Sequence, residues 1–506
     1  MPFFRRLWLP LCGALALTLV AGEPPKPRIS KVASKAKSTP AAALPAPAKL
    51  ATVEGITEYR LANGLRVLLF PDASKPTITT NITYLVGSRH ENYGETGMAH
   101  LLEHMVFKGT PKHPNVPQVL NELGGDFNGT TWLDRTNYYI SFPATEENLA
   151  RALSLEADRM QNSNFTAETL WGKDGKSGEM TVVRNEFENG ENNPFRVTLQ
   201  RVQAVAFDWH NYGNSTIGAR TDIEKVNVEH LRAFYHKFYA PDNAILVVAG
   251  KFDEAKALTR INQTFGPLQN PKRVLEPTYT QDPVQDGERS VTIRRVGGTP
   301  MLMVGYHIAP GFHPSRSHLD LAASILADAP SGRLYKALVE TKLAAQVFPM
   351  IFPTLESGLM MFGAALPKDG DPEKAKAVLL MELEDLKAKP FTQAELDRAQ
   401  AKVRKSVDQT FADTKNLAVA LSDSMAAGDW RHLFLDRDWA LAAKVEQVQA
   451  AAEAALKASN RTLAEYVPTE KPDRTELPAA ADIATLVKDY KGKEVIAQGE
   501  AFDASP

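Results

Sequence analysis

The sequence predicts an α+β protein made of two homologous sandwich-like units, each an antiparallel-rich sheet with helices on one face, related by internal duplication. Three observations lead there. The 506 residues are enough for more than one domain. An aperiodic stretch rich in Pro, Asp and Gln splits the chain near its middle. The order of strand-like and helix-like segments before that stretch recurs after it.

Residues 1–22 read as an export signal. Arg5 and Arg6 supply a positive start, and an apolar run of about fifteen residues follows, short for a membrane span. An uncleaved anchor is the alternative. Leu11 before Cys12 excludes a lipid-attachment site, which needs a small residue there. Residues 23–50, rich in Pro, Ala and Lys, read as a disordered linker. The first unit, 51–270, opens with strands at 65–70 and 77–86, then helices at 97–108 and 116–123. Strand-like runs at 126–132 and 136–142 follow, helices fill much of 145–205, and a Val-rich strand runs over 244–249. Residues 271–289 are the linker between units. The second unit, 290–475, begins with strands at 290–296 and 300–307 and helices at 317–327 and 332–342. Strands follow within 346–365, and helices from 372 onward. Residues 476–506 read as a loosely held tail with one short helix.

Composition narrows the chemistry. Lys+Arg total 58 against 60 Asp+Glu, which gives no electrostatic reason to expect nucleic acid. The single cysteine, Cys12, falls in the signal, so the mature chain has no disulfide, thiol catalyst or thiolate ligand. Any metal must be held by His and carboxylates. An exported chain of this kind points to a bacterial periplasm, with no transmembrane span after the signal.

The segment from Gly97 to Thr110 carries the chemistry. Met98, Leu101, Leu102, Met105 and Val106 trace the buried face of a helix, with Thr96 a candidate N-cap and Gly109 a stop. His100 and His104, one turn apart, share the opposite face within about 40° of each other. Two such imidazoles suit one zinc ion per chain. Glu103 is offset from their midpoint, so it leaves the ion free and stands where a general base contacts its water. This H-x-x-E-H order reverses the familiar H-E-x-x-H motif. A surface His pair with no ligand is the competing reading.

The run from His100 to Thr110, H-L-L-E-H-M-V-F-K-G-T, resembles the signature of the pitrilysin/insulinase family of inverted zinc metallopeptidases, which includes the mitochondrial processing peptidase. The 124–131 stretch with Thr136-Asn137-Tyr138-Tyr139, and the 239–244 stretch, resemble further blocks of that family. The resemblance implies Glu186 as third zinc ligand and Glu179 as a supporting catalytic acid; Glu188 and Glu191 remain rivals on composition alone. It also implies that Asn128, Gly129 and Thr130, with Phe107, bind substrate as an added strand.

One part of the pattern is missing. Where the family's second halves carry an Arg and a Tyr that contact substrate, this chain has Val339 and Gln346. The expectation is a zinc endopeptidase acting on peptides or unfolded segments together with a related partner subunit, a heterodimer in preference to a homodimer. The alternative is a non-catalytic assembly or peptide-binding subunit of the same family.

Overall fold

The computed structural model describes residues 44–506 apart from Tyr279, Pro353 and Asp473. The expected signal and most of the 23–50 linker lie outside the described residues. Two mixed sheets form the framework. The first holds β1 (Ala48–Val53), β2 (Ile56–Arg60), β3 (Arg66–Pro71), β4 (Thr77–Tyr84), β5 (Asp126–Thr131), β6 (Thr136–Pro143) and β7 (Ala244–Gly250), in the order β1-β2-β3-β7-β4-β6-β5. The second holds β8 (Arg289–Val296), β9 (Met301–Ile308), β10 (Gln346–Ile351), β11 (Gly358–Ala365) and β12 (Arg461–Thr469), in the order β10-β11-β9-β12-β8.

The duplication is visible in these orders. β3-β7-β4-β6-β5 matches β8-β12-β9-β11-β10 strand for strand, and the parallel pair β3/β7 matches the parallel pair β8/β12. The β1/β2 hairpin is an addition at one edge of the first sheet. Its start corrects the linker boundary, because Ala48 and Lys49 already pair with β2. β1, β2 and β12 have no counterpart in the expected elements. The helix expected over 332–342 is shortened to residues 333–339, and its second part, Tyr335–Val339, widens to a turn closed by Glu340 N donating to Tyr335 O. Lys342, in the left-handed region at φ 63°, turns the chain away directly after it.

Each sheet has helices of its own unit on one face, as expected, but its other face is not bare. The helix Thr414–Ala426 of the second unit covers the first sheet, with Leu417, Ala418, Leu421 and Met425 against Ile56, Leu68, Ile245 and Val247. The helix Pro194–Ala206 of the first unit covers the second sheet, with Val197 and Val202 against Met303, Met361 and Ala464. This exchange explains the sequence of β4. Ile78, Ile82 and Tyr84 face the first unit's own core, whereas Thr79, Asn81 and Thr83 face the borrowed helix. Asn81 Nδ2 donates to Ala418 O (2.8 Å) and Ser422 Oγ (2.6 Å), and the Thr79 and Thr414 hydroxyls are 2.8 Å apart. Buried polar groups paired in this way fix the register of the two units.

The tail 476–506 is exposed throughout and contains the short helix Ile483–Val487. Among the described residues no helix is long and apolar enough to cross a membrane.

Candidate metal centre

The motif helix is short, Met98–Met105, and is anchored by its apolar side. Met98, Leu101, Leu102 and Met105 are all buried in the first unit's core. Its N-cap is Gly97 rather than Thr96. Gly97 sits at φ 89°, and a Cβ there would meet Ile217 O at 2.6 Å, so only glycine fits. The Thr96 hydroxyl is engaged elsewhere, donating to Asp222 Oδ2 (2.6 Å) and accepting from Ala219 N.

Glu186 comes from the helix Glu179–Glu191, which packs beside the motif helix. Its Oε2 lies 3.5 Å from His100 Nε2 and 3.6 Å from His104 Nε2. Among the described residues this trio is the group whose donor atoms could hold a metal ion, all within 4.8 Å of one another. Four ligands at tetrahedral angles and bonds of about 2.1 Å stand about 3.4 Å apart, so the separations of Glu186 from the two imidazoles suit zinc. The rivals are turned to other work: Glu191 pairs with Arg295 (2.8 Å), and Glu188 lies 3.9 Å from Arg220.

Glu179 accepts from His104 Nδ1 at 3.0 Å, which fixes the ring with its Nε2 turned toward Glu186. The other Glu179 oxygen pairs with Lys108 Nζ. Burial pushes the His104 imidazole down, but the Glu179 and Glu186 carboxylates outweigh it and raise its pKa to about 10. Burial, with the charge of His104, takes His100 down to about 4. Despite their burial, Glu179 and Glu186 stay below the usual carboxylate range through contacts with His104. Without metal the cluster therefore holds one proton on His104 to offset its carboxylates, and a divalent cation would displace it.

Glu103 is fixed from β5. Thr131 Oγ1 donates to Glu103 Oε2 at 2.8 Å, and burial raises the Glu103 pKa. The alternation of β5 divides the expected substrate residues. Gly129 and Thr131 face Glu103; Asn128 and Thr130 point to the opposite side of the sheet. Asn128 is exposed, while the Thr130 hydroxyl is held by Asn137 (2.5 Å) and Arg135 (2.7 Å). Phe107 is half-buried and packs against Phe127 and Tyr138, with the Arg159 guanidinium 5.2 Å from its ring. Thr131 and Lys108 were not singled out in the sequence. Period-2 alternation from Gly129, and the i+4 spacing from His104, were the signals that could have found them.

In the second unit, Val339 is half-buried against the core and Gln346 is exposed at the start of β10. The nearby Arg333 cannot replace the missing arginine, because it is held by Glu395 (2.8 Å) and the carbonyls of Lys389 and Pro390. Of the other histidines outside the motif, His90 packs edge-on to Phe238, and His210 Nε2 lies 2.6 Å from Glu356 across the two units.

Two family models match the chain in sequence, the insulinase peptidase family (M16) over residues 66–220 and the M16 inactive domain over 225–403. The chain belongs to the M16 peptidase family. It is 28% identical over 376 residues to the zinc protease PqqE of Helicobacter pylori, covering 73% of this chain and 83% of that protein. The crystal structure of a protease from Helicobacter pylori superposes with a TM-score of 0.77 at 26% identity, over 84% of this chain and all of that one. The periplasmic protease PqqL of Escherichia coli shares the fold, with a TM-score of 0.68 at 19% identity, over 90% of this chain and 53% of its own length. The motif-bearing unit thus matches the peptidase model. The model called inactive begins at residue 225, ahead of β7, and extends through most of the second unit.

Proposed function

We propose that this chain is a zinc endopeptidase that cuts peptides or unfolded polypeptide segments, with one zinc held by His100, His104 and Glu186. The observation that carries the reading is the convergence of those three donors within 4.8 Å of one another, two of them on the helix that carries Glu103. Zinc bound there would polarise the scissile carbonyl and bring the pKa of water toward about 7. Glu103 takes the proton as general base; its raised pKa suits a group that must pass that proton on to the departing amine. Glu179 keeps His104 in one tautomer and orientation. β5 is the last strand of its sheet, the position at which an added peptide strand would pair. Asn128, Gly129 and Thr130 would serve through their backbone, which makes cleavage tolerant of sequence. The chain supplies no Arg/Tyr pair at 339 and 346, which favours a related partner subunit that completes the substrate site. Export to a periplasm through residues 1–22 completes the proposal.

The test is zinc content and peptide cleavage for wild type and Glu103→Gln, each with and without a co-expressed related subunit. The expected result is zinc retained and cleavage lost in Glu103→Gln, with the wild type fastest beside its partner. Equal cleavage by the two proteins would sink the assignment of Glu103, and full activity of a purified homodimer would remove the partner.

A further inference from the structure

We propose that Glu91 is a positioning residue for the zinc site: its carboxylate caps the N-terminus of the motif helix and fixes where His100 and His104 stand. Glu91 follows the tight turn Ser88–His90, outside the helix. Its Oε2 accepts from Gly97 N at 2.9 Å and its Oε1 from Ala99 N at 2.8 Å. Ala99 is the residue directly before His100, so one of these bonds anchors the backbone next to a zinc ligand. The side chain is only 3% exposed, so no water replaces it.

The helix has no cap of its own. The N-cap is a glycine, fixed as glycine by Ile217 O, and the preceding Thr96 hydroxyl is bound to Asp222. The first N–H groups of a helix need acceptors, and the two oxygens of Glu91 serve two of them. Burial pushes the Glu91 pKa up to about 8, while the two N–H donors pull it down. The backbone of Glu91 is itself clamped. Asn211 Nδ2 donates to both Glu91 O (2.9 Å) and Arg89 O (2.8 Å). The Arg89 side chain is tied to Asp134 (3.0 Å) and Glu356 (2.7 Å). Asn211, Glu91 and the motif helix form one chain of contacts, so a rigid surrounding is transmitted to the ligands.

This inference rests on the zinc-peptidase reading, and its test separates the two. Glu91→Ala and Glu91→Gln are made in the full chain beside its partner subunit. Measurements are zinc affinity by chelator competition, the visible spectrum of the cobalt(II)-substituted protein, and kcat and KM on a peptide. Expected in Glu91→Ala are a loss of about 10- to 100-fold in zinc affinity, an altered cobalt spectrum, and a fall in kcat with KM within about twofold. Glu91→Gln, which keeps one acceptor oxygen, falls between it and wild type. Wild-type zinc affinity and cobalt spectrum in Glu91→Ala would overturn the proposal, even with a lower melting temperature. If neither variant folds, Asn211→Ala decides: a weaker effect of the same sign is expected, and no change in affinity or spectrum would overturn the proposal. A chain that cleaves nothing would defeat the peptidase reading and still leave the zinc and cobalt results to judge Glu91.

Discussion

Gly129→Ala is a sharp probe of the candidate site, because the substitution adds one atom directly beneath the proposed general base. A Cβ at position 129 would lie 2.9 Å from Glu103 Oε1, 3.0 Å from its Cγ and 3.2 Å from its Cδ. Ordinary contact needs about 3.5 Å, so Glu103 must retreat by roughly half an ångström. The backbone at Gly129 is not left-handed and the obstacle is a side chain, so the fold accommodates the change and Glu103 absorbs it. That retreat strains the Thr131 hydrogen bond, and misplacement on the order of 1 Å costs about a hundredfold in rate. Half of that displacement gives a fall of about tenfold in kcat, with KM within about twofold. Zinc content should not change, because the atoms nearest the added methyl all belong to Glu103 and not to a ligand. The assay is steady-state cleavage of a fluorogenic peptide, beside zinc by mass spectrometry and a thermal melt. Asn128→Ala is the control: its exposed side chain leaves the opposite face of the strand, and kcat should hold. Wild-type kcat in Gly129→Ala, or zinc lost in step with activity, would refute the placement of Glu103.

Glu179→Gln takes the carboxylate from His104 Nδ1 and from Lys108, and should weaken zinc binding by about 10- to 100-fold in chelator competition. His90 is held neutral in the fold by burial and by the charge of Arg89, its pKa lowered to about 3 from 6.5. Below about pH 6.5 the unfolded chain takes up a proton that the folded chain refuses, so stability falls with pH over that window. By pH 4 the loss is on the order of 3 kcal/mol. His90→Asn should flatten the acid limb of a denaturation series by a comparable amount, and an unchanged slope would count against it.

The site was legible in the sequence where it is local. His100, Glu103 and His104 share one helical turn and a half, so periodicity alone places them on one face. Glu186 lies on another helix, 3.5 and 3.6 Å from the two imidazoles, and no local rule brings it there; in the sequence only a likeness to a known motif points to it. Period 2 separates Asn128 and Thr130 from Gly129, whereas pairing with substrate along a strand edge gives all three one role. At the fold level, strong apolar runs such as β7 announced themselves, whereas β1, β2 and β12 mix charged and apolar residues and carry no comparable signal. The helix expected over 332–342 is present but short: it widens over Tyr335–Val339 and ends there, with Lys342 in the left-handed region just beyond.

What the sequence least reveals is that each duplicated unit lends a helix to the other, and this has a consequence for how the chain can be divided. Ile56, Leu68, Ile245 and Val247 are fully buried by the helix Thr414–Ala426 and its neighbours. Uncovering four such side chains costs roughly 1.5–3 kcal/mol each, or about 6–12 kcal/mol together. That is comparable to the whole stability of a typical domain, about 5–15 kcal/mol. The Asn81 side chain would lose its Ala418 and Ser422 partners as well. A chain cut within 271–289 should therefore yield a first half that aggregates or binds a hydrophobic dye when expressed alone. The same half co-expressed with the second should form a soluble complex that binds zinc. The motif, Glu186 and β5 all lie in the first half, so a view of the site as self-contained predicts the contrary: a soluble, monomeric first half with the zinc affinity of the full chain. Observing that would show that the borrowed helix is packing that the zinc site does not need.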